Sequence, residues 1–336
     1  MAVVGATGAV GQEFLRLFVE RDFPVERLKL LASGRSAGLK QEFRGNELVI
    51  EEATPDSFHE VDVAFFSAGA SRSRALAPAA IAAGALVVDN SSAFRAEAGI
   101  PLIVPEVNPD AVLPDSRLIA VPNCTAIILV VAVNPLRELG KIDRIIVSTY
   151  QSASGGGAAM MRLLEDETRQ LVEGKEPVAS HLNTRYGFNL FSHNTPIDEN
   201  GSNEEEAKVM SESRKILGMP DLKLNVTCIR VPILRAHSES VTIEFDGPAP
   251  SVEAVREVLS RAPGVRVIDD RAANRFPTPL DASGQGDVLI GRIRQDLSNP
   301  NAISMFITGD QLLKGAALNA VQIAEMILKR TPAIVR

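Results

Sequence analysis

The sequence predicts an α/β protein in two parts: a doubly wound parallel sheet, then an α+β domain with a largely antiparallel sheet. Three observations carry that prediction. Short apolar runs alternate with helical stretches through residues 1–121, and a glycine-rich turn joins the first strand to the first helix. Strands then crowd together after residue 222 with one helix among them. The expected domains are 1–121, completed by a C-terminal helix over 310–330, and 122–309.

Residues 2–4 read as a short buried strand running into Gly5-Ala6-Thr7-Gly8-Ala9-Val10-Gly11, and 12–20 as a helix with Phe14, Leu15, Leu17 and Phe18 apolar. Strand, glycine turn and helix in that order is the context of a Rossmann-type dinucleotide site. There the glycines let the backbone approach a pyrophosphate lying on the helix N-terminus. The spacing is Gly-x-x-Gly-x-x-Gly, not the commoner Gly-x-Gly-x-x-Gly, so a plain tight turn is the competing reading. The second strand, 28–32, runs into Ser33-Gly34-Arg35-Ser36, where an NAD site usually carries an acidic residue for the ribose hydroxyls. An arginine flanked by two hydroxyls suits a 2′-phosphate and hence NADP(H); an exposed loop arginine is the alternative. Strands at 61–66 and 85–88 flank an alanine-rich helix over 72–83. Ser67-Ala68-Gly69 and Asp89-Asn90-Ser91-Ser92 close two of these strands, either facing the cofactor or serving as ordinary turns.

Pro122-Asn123-Cys124-Thr125 places one of two cysteines just ahead of an apolar run, 127–133. Asn123 is a good N-cap, and Pro122 holds the chain extended before it. A helix starting here puts Cys124 at the positive end of the dipole, which favours a thiolate. The run is rich in β-branched residues and Pro135 interrupts it, so a strand is not excluded, and an inert core cysteine is the competing reading. A strand over 142–150 leads through Gln151-Ser152-Ala153-Ser154-Gly155-Gly156-Gly157 into a helix over 158–172, either a second ligand cradle or a linker. Residues 173–200 are polar and irregular, the pattern of a lid or a subunit arm. Asn203 caps a helix whose Glu204, Glu205, Glu206 and Lys208 read by default as a solvated face. Strands follow at 222–234, 238–245, 265–269, 287–294 and 302–308, with a helix at 252–261 and a last, amphipathic one over 311–330 that packs back across the first domain.

Composition excludes several classes. A chain of 336 residues, 45% hydrophobic and 23% charged, has the balance of a soluble globular protein large enough for two cores. The net charge of −7 argues against general nucleic-acid or anionic-membrane binding, so an anionic substrate needs a local basic pocket. Cys124 and Cys228 offer no disulfide framework and no metal-ligand spacing. No apolar run approaches the ~20 residues of a membrane span, and the first residues lack the charged region of a signal peptide. A cytoplasmic protein with reduced thiols is expected.

The ordered motifs together resemble one family, the aspartate-β-semialdehyde dehydrogenases. The resemblance rests on the glycine turn 5–11, Asp89-Asn90-Ser91-Ser92-Ala93-Phe94-Arg95, Pro122-Asn123-Cys124-Thr125, Gln151 with Ser154-Gly155, and Glu205-x-x-Lys208. Arg230, His237 and Gly309-Asp310-Gln311-Leu312-Leu313-Lys314-Gly315-Ala316-Ala317 complete it across nearly the whole chain. It implies Cys124 as the nucleophile of an acyl-thioester, His237 as the acid/base, and Gln151 with Arg230 at the amino-acid end of the substrate. Arg95, Asn123 and Lys208 are then the phosphate site, with Glu205 orienting the lysine or meeting the substrate. Gly5, Thr7, Gly8, Ala9, Val10, Ser33, Arg35, Ser36, Ser154, Gly155 and Gln311 are implied as NADP(H) contacts. The implied substrates are aspartyl phosphate, aspartate semialdehyde and inorganic phosphate, in the branch to lysine, methionine and threonine. No metal is implied. The implied assembly is a homodimer joined through the second-domain sheet, with a homotetramer as the alternative.

The residue chemistry fits. A thiol near its ordinary pKa of ~8.5 needs a helix end or a histidine to activate it, and a histidine near ~6.5 can exchange a proton at neutral pH. Arg230 and His237 are seven residues apart and would face opposite sides of one regular strand, so Pro232 is expected to break or bend it and let both reach one pocket. His237 alone could be a satisfied structural histidine. His59, His181 and His193 are assigned no role, and Cys228 reads as core. Four rival readings stand beside this resemblance: an N-acetyl-glutamyl-phosphate reductase, a glyceraldehyde-3-phosphate dehydrogenase, a non-catalytic NADPH-binding regulator and a cysteine hydrolase. Arg230 and the Ala9-Val10 dipeptide resemble the aspartate enzymes more than the first, and the cysteine motif and NAD-type acid of the second are both missing here. The third would have no use for Cys124 and His237, and the fourth no use for a dinucleotide loop.

Overall fold

A computed structural model describes residues 1–177, 182 and 184–330, so the reading of His181 falls outside the described residues. The chain forms two compact units, Met1–Asn123 with Gly315–Arg336, and Cys124–Lys314.

The first unit contains β1 (Ala2–Val4), α1 (Ala9–Glu20), β2 (Lys29–Ala32), β3 (Lys40–Phe43), β4 (Asn46–Glu52), β5 (Val63–Phe66), α2 (Ala70–Ala82), β6 (Leu86–Asp89) and β7 (Leu118–Ala120). The sheet order is β3-β4-β2-β1-β5-β6-β7, parallel throughout except for the β3–β4 hairpin. β1 is fully buried because it is the central strand, with β2 on one side and β5 on the other. That makes its carboxyl end the point where the strand order reverses, the place where such sheets bind ligands. Gly5 has φ +92°, and a Cβ there would stand 2.3 Å from the Ser67 carbonyl oxygen. A Cβ on Gly11 would stand 2.3 Å from the Gly5 oxygen, so only glycine lets α1 lie this close to the turn. The buried face of α1 then meets the sheet through Phe14 and Phe18, whose rings lie 5.0 and 5.2 Å from that of Phe65.

Three expectations shift here. The first helix starts at Ala9, not at 12, which puts Ala9 and Val10 in its first turn. The β3–β4 hairpin was not anticipated; its two-residue turn is Arg44-Gly45, both at positive φ, as the twist of a tight hairpin requires. The single helix expected over 311–330 is divided into a π-turn, Leu313–Ala317, and a helix, Leu318–Arg330. That helix packs on α1, where Arg21 forks onto Glu325 with both bonds at 2.7 Å, and Asn319 donates to the Ile103 carbonyl at 2.9 Å.

The second unit contains α3 (Cys124–Val133), β8 (Ile142–Gln151), α4 (Gly157–Val172), β9 (Phe191–Ser192), α5 (Glu204–Leu217), β10 (Lys223–Arg230), β11 (His237–Phe245), α6 (Val252–Arg261), β12 (Val265–Val267), β13 (Val288–Gln295) and β14 (Ala302–Gly309). Its sheet runs β12-β13-β14-β11-β8-β10-β9 and is mostly antiparallel. The apolar run after Cys124 is a helix, and every residue from Thr125 to Val133 is buried. Burial on all sides explains why its sequence shows no helical period.

The strand expected over 222–234 ends at Arg230, and a new one begins at His237. β10 runs parallel to β8 and β11 antiparallel to it, so the end of β10 and the start of β11 both meet the carboxyl end of β8. This reversal, not a bend within one strand, brings Arg230 and His237 to one place. No helix among the described residues is long and apolar enough to cross a membrane.

Glu239, opposite Thr149 and Ile307 in the same sheet, is fully buried, and neither carboxyl oxygen has a hydrogen-bond partner among the described residues. Burial alone drives its pKa well above the ordinary glutamate value. A carboxyl with a raised folded pKa stabilises the fold below the unfolded value, and that stability is lost as pH rises through the folded pKa. Glu239→Gln should therefore raise Tm at pH 8 by at least ~3 °C, on the scale of about 2–4 °C per kcal/mol, and leave it nearly unchanged at pH 4. Melting curves at the two pH values check this; an equal shift at both would place the effect elsewhere.

Candidate active site

The site in the second unit is built around Ser152, the first residue after β8. Ser152 is fully buried, and each of its polar groups holds a predicted site residue. Its N–H donates to His237 Nδ1 at 3.0 Å, and its hydroxyl lies 3.0 Å from the same atom. Its carbonyl accepts from Arg230 Nη1 at 3.0 Å. Gly155, one turn on, fits against both: a Cβ there would stand 3.0 Å from Arg230 Nη1 and from His237 Nε2. The loop itself is tied to the strand connection, since the Ala153 and Ser154 N–H groups donate to the Ile233 and Leu234 carbonyls.

Gln151 closes the other side. It stands opposite Arg230 in the β8–β10 register. Its Nε2 donates to Thr125 Oγ1 and to Glu205 Oε1, both at 3.0 Å, and its Oε1 accepts from Thr149 Oγ1 at 3.3 Å. The residue after Cys124 is thus fastened to the end of β8, and the first turn of α3 with it. Cys124 begins that helix as a half-buried cysteine. Cys228 is buried in β10 and burial pushes its thiol up, out of reach of ionisation at neutral pH.

Glu205 and Glu206 correct the expectation of a solvated face. Both are buried. Glu206 completes a capping box with Asn203, each side chain meeting the other's N–H at 2.9 Å, and also accepts from the Cys228 N–H at 2.9 Å. Glu205 faces Gln151, while Lys208 pairs with Glu204 at 2.6 Å.

His193 was missed. The sequence gives no signal for it because it lies in the irregular stretch before α5. It is buried, and its Nε2 accepts from Arg230 Nη2 at 2.8 Å. Its Nδ1 lies 3.3 Å from Thr195 Oγ1, which accepts from the Glu205 N–H. Ser152 and His193 therefore fix the two ends of the Arg230 fork, and the buried Nε of that arginine has no partner among the described residues. Burial first, then the neighbouring guanidinium, pushes His193 down to about 4 and His237 down to about 3. Both imidazoles are neutral at pH 7, and His237 is displaced from the ordinary histidine range assumed from sequence.

Gln311 joins the cluster through its own amide. Its Oε1 accepts from the Ala236 N–H at 2.9 Å, and its Nε2 donates to Ser154 Oγ. Asp310 beside it accepts from Arg235 Nε at 2.6 Å and from the Gly284 N–H at 2.7 Å. Arg235, Ala236 and His237 are consecutive, and Ala236 holds φ +72°, an unusual conformation for a residue with a Cβ.

The remaining predicted residues lie in the first unit. Thr7 and Gly8 are exposed at the carboxyl end of β1, with Ala9 and Val10 behind them in α1. Ser33, Arg35 and Ser36 form a turn at the end of β2, closed by the Ser36 N–H on the Ser33 carbonyl at 2.8 Å, with Arg35 exposed. Because β1 and β2 are parallel neighbours, the two loops share one edge of the sheet. The close packing at Gly5 and Gly11 sets the first turn of α1 directly beyond β1, an arrangement that suits a pyrophosphate on the helix N-terminus. One acidic group escaped the sequence reading: Glu52 ends β4 beside β2, and a side chain at Gly34 would meet its carboxylate at 2.9 Å. Arg95 donates from Nη2 to the Asn90 carbonyl at 2.9 Å, and Asn123 is buried at the end of the unit. The Asp89 carboxylate is held by the Ser73 and Ser91 hydroxyls at 2.8 and 2.7 Å.

Comparison with known proteins bears on both units. Residues 1–113 match the family described as semialdehyde dehydrogenase, NAD binding domain, and residues 133–314 the one described as semialdehyde dehydrogenase, dimerisation domain. An aspartate-semialdehyde dehydrogenase of Synechocystis sp. is 50% identical over 98% of this chain and 97% of its own length. That of Bacillus subtilis is 44% identical, with 98% and 97% covered. Among solved structures, aspartate semialdehyde dehydrogenase II of Vibrio cholerae, complexed with ASA, superimposes with a TM-score of 0.92 at 38% identity, covering 98% of this chain and 97% of that one. With a mostly parallel Rossmann-like sheet, a mostly antiparallel second sheet and this similarity from end to end, the chain belongs to the aspartate-semialdehyde dehydrogenase family of NAD(P)-dependent phosphorylating dehydrogenases.

Proposed function

We propose that the chain catalyses the NADPH-dependent reductive dephosphorylation of L-aspartyl-4-phosphate to L-aspartate-4-semialdehyde, through an acyl-thioester on Cys124. The observation that carries this reading is the fixing of Arg230 and His237 on the single residue Ser152, with Gln151 fastening the first turn of α3 to the same strand end. Arg230 supplies a buried, oriented guanidinium for the carboxylate of the amino-acid end. Cys124 attacks the acyl carbon as a thiolate favoured by its place at the start of α3; the C–S bond forms, the C–O bond to phosphate breaks and inorganic phosphate leaves. When bound, the nicotinamide supplies the hydride that reduces the thioester to the level of the aldehyde. His237 stands against the reacting oxygen and manages its proton when the thiohemiacetal collapses. Arg95, Asn123 and Lys208 hold the phosphate. The Candida albicans enzyme, 26% identical and with a TM-score of 0.74, is described with NADP, and that supports NADP here. A homodimer through the second unit fits the family description of that region, and cytoplasmic amino-acid biosynthesis fits the substrates.

Cys124→Ala should abolish phosphate-dependent NADP reduction with aspartate semialdehyde while leaving NADPH affinity within about twofold, since the glycine turn lies in the other unit. Steady-state kinetics and fluorescence titration decide it, and substantial residual turnover would remove the thioester.

Neutralising Arg95 or Lys208 should raise KM for phosphate ten- to hundredfold with little change for NADP, because a charge-assisted hydrogen bond is worth about 1.5–3 kcal/mol. An unchanged phosphate KM in both variants would move the anion site.

Arg35→Ala should shrink the preference for NADP over NAD by weakening NADP, and Glu52→Gln should widen it by removing a carboxylate beside the same loop. Comparing kcat/KM for the two cofactors tests both, and discrimination unaltered in either variant would show that this loop does not read the 2′-position.

A further inference from the structure

The hydrogen bonds around His237 have a direction. A backbone N–H can only donate, so Ser152 N on Nδ1 makes Nδ1 an acceptor. The Gln311 amide is oriented in the same way, because the Ala236 N–H must donate to its Oε1. Its Nε2 is then the donor to Ser154 Oγ. Ser154 Oγ lies 3.1 Å from Ser152 Oγ, which lies 3.0 Å from His237 Nδ1. With Gln311 fixed as the donor at one end, Ser154 can donate to Ser152 and Ser152 to Nδ1, the nearer of its two acceptors at 3.0 Å against 3.5 Å for Gln311 Oε1. The relay and the backbone N–H thus present protons to the same lone pair. His237 Nε2, fully buried against Gly155, has no partner among the described residues.

We propose that Ser152, Ser154 and Gln311 are positioning residues that hold His237 as its Nε2–H tautomer, so that it enters acyl transfer as a hydrogen-bond donor to the substrate oxygen. The inference rests on the reaction proposed above and assigns Ser154 and Gln311 a role that cofactor contact does not require. The proton balance allows it. Attack of the Cys124 thiolate passes its negative charge to the departing phosphate, so no proton needs to reach Nε2 in that step. An Nε2–H there would stabilise the tetrahedral oxyanion as a preorganised donor. Protonation of Nδ1 would set two donors against each other at the Ser152 N–H, consistent with burial holding the ring neutral.

His193 provides an internal reference of the opposite kind. Arg230 donates to its Nε2, so its proton must sit on Nδ1. The chain has four histidines, and selective nitrogen-15 labelling of that residue type resolves them by NMR, with His237→Asn and His193→Asn assigning two. At pH 7 without substrate, His237 should show a pyridine-like Nδ1 and a pyrrole-like Nε2, and His193 the reverse. A pyrrole-like Nδ1 on His237 overturns the proposal. Gln311→Met, which ends the relay while the Ser152 N–H still donates to Nδ1, should shift the His237 Nδ1 signal by weakening the hydroxyl bond to it, and lower kcat at least about tenfold. Unaltered His237 signals in that variant overturn the role of Gln311. Because the tautomer is read without substrate, it stands or falls separately from the identity of the reaction.

Discussion

Everything at this site depends on how one buried residue is hydrogen-bonded. Ser152 donates through its N–H to His237, accepts through its carbonyl from Arg230 and carries a hydroxyl within reach of the same imidazole. Two of the three contacts use backbone atoms, so any side chain at position 152 would keep them, and the geometry belongs to the fold more than to the serine. The fold provides it by ending a parallel strand, β10, and starting an antiparallel one, β11, beside the last residues of β8. Gly155 leaves the space that both side chains occupy. A site assembled at the end of a sheet core needs little further ordering when substrate arrives, which is the condition for binding energy to be used on the transition state.

The electrostatics follow from that burial. Among the described residues, Arg230 is buried with neutral hydrogen-bond partners, a serine carbonyl and an imidazole. A guanidinium held by neutral acceptors keeps its charge available to an anionic ligand, whereas one already in an ion pair would have to exchange partners. The same charge helps hold His193 and His237 neutral. Asp310 and Arg235 form the nearby ion pair, placed to hold the loop that carries Ala236 in its positive-φ conformation.

Much of this was legible in the sequence, for identifiable reasons. The glycine turn could be read because Gly5 and Gly11 each answer a steric demand, and the second sheet because its strands alternate. Arg230, His237, Gln151 and Glu205 were found through an ordered set of motifs; periodicity alone set Arg230 and His237 on opposite faces. What stayed hidden was long-range. No local pattern shows that Ser152 serves two residues about eighty positions away, that His193 in an irregular stretch meets Arg230, or that Glu52 on an unforeseen hairpin lies against Gly34. The glutamate run at the start of α5 misled at two of its three positions, because the helix cap and the Cys228 N–H take the Glu206 carboxylate and the Gln151 amide meets that of Glu205.

The central claim is that Cys124 carries the acyl group between two half-reactions. It is tested most directly by omitting phosphate: the enzyme mixed with aspartate semialdehyde and NADP in phosphate-free buffer, quenched in acid and examined by mass spectrometry of its peptides. A hydroxylamine-sensitive aspartyl adduct on the peptide containing Cys124, formed with a matching single-turnover burst of NADPH, is the predicted result. Steady NADP reduction without any adduct on Cys124, or an adduct on Cys228 instead, would contradict it.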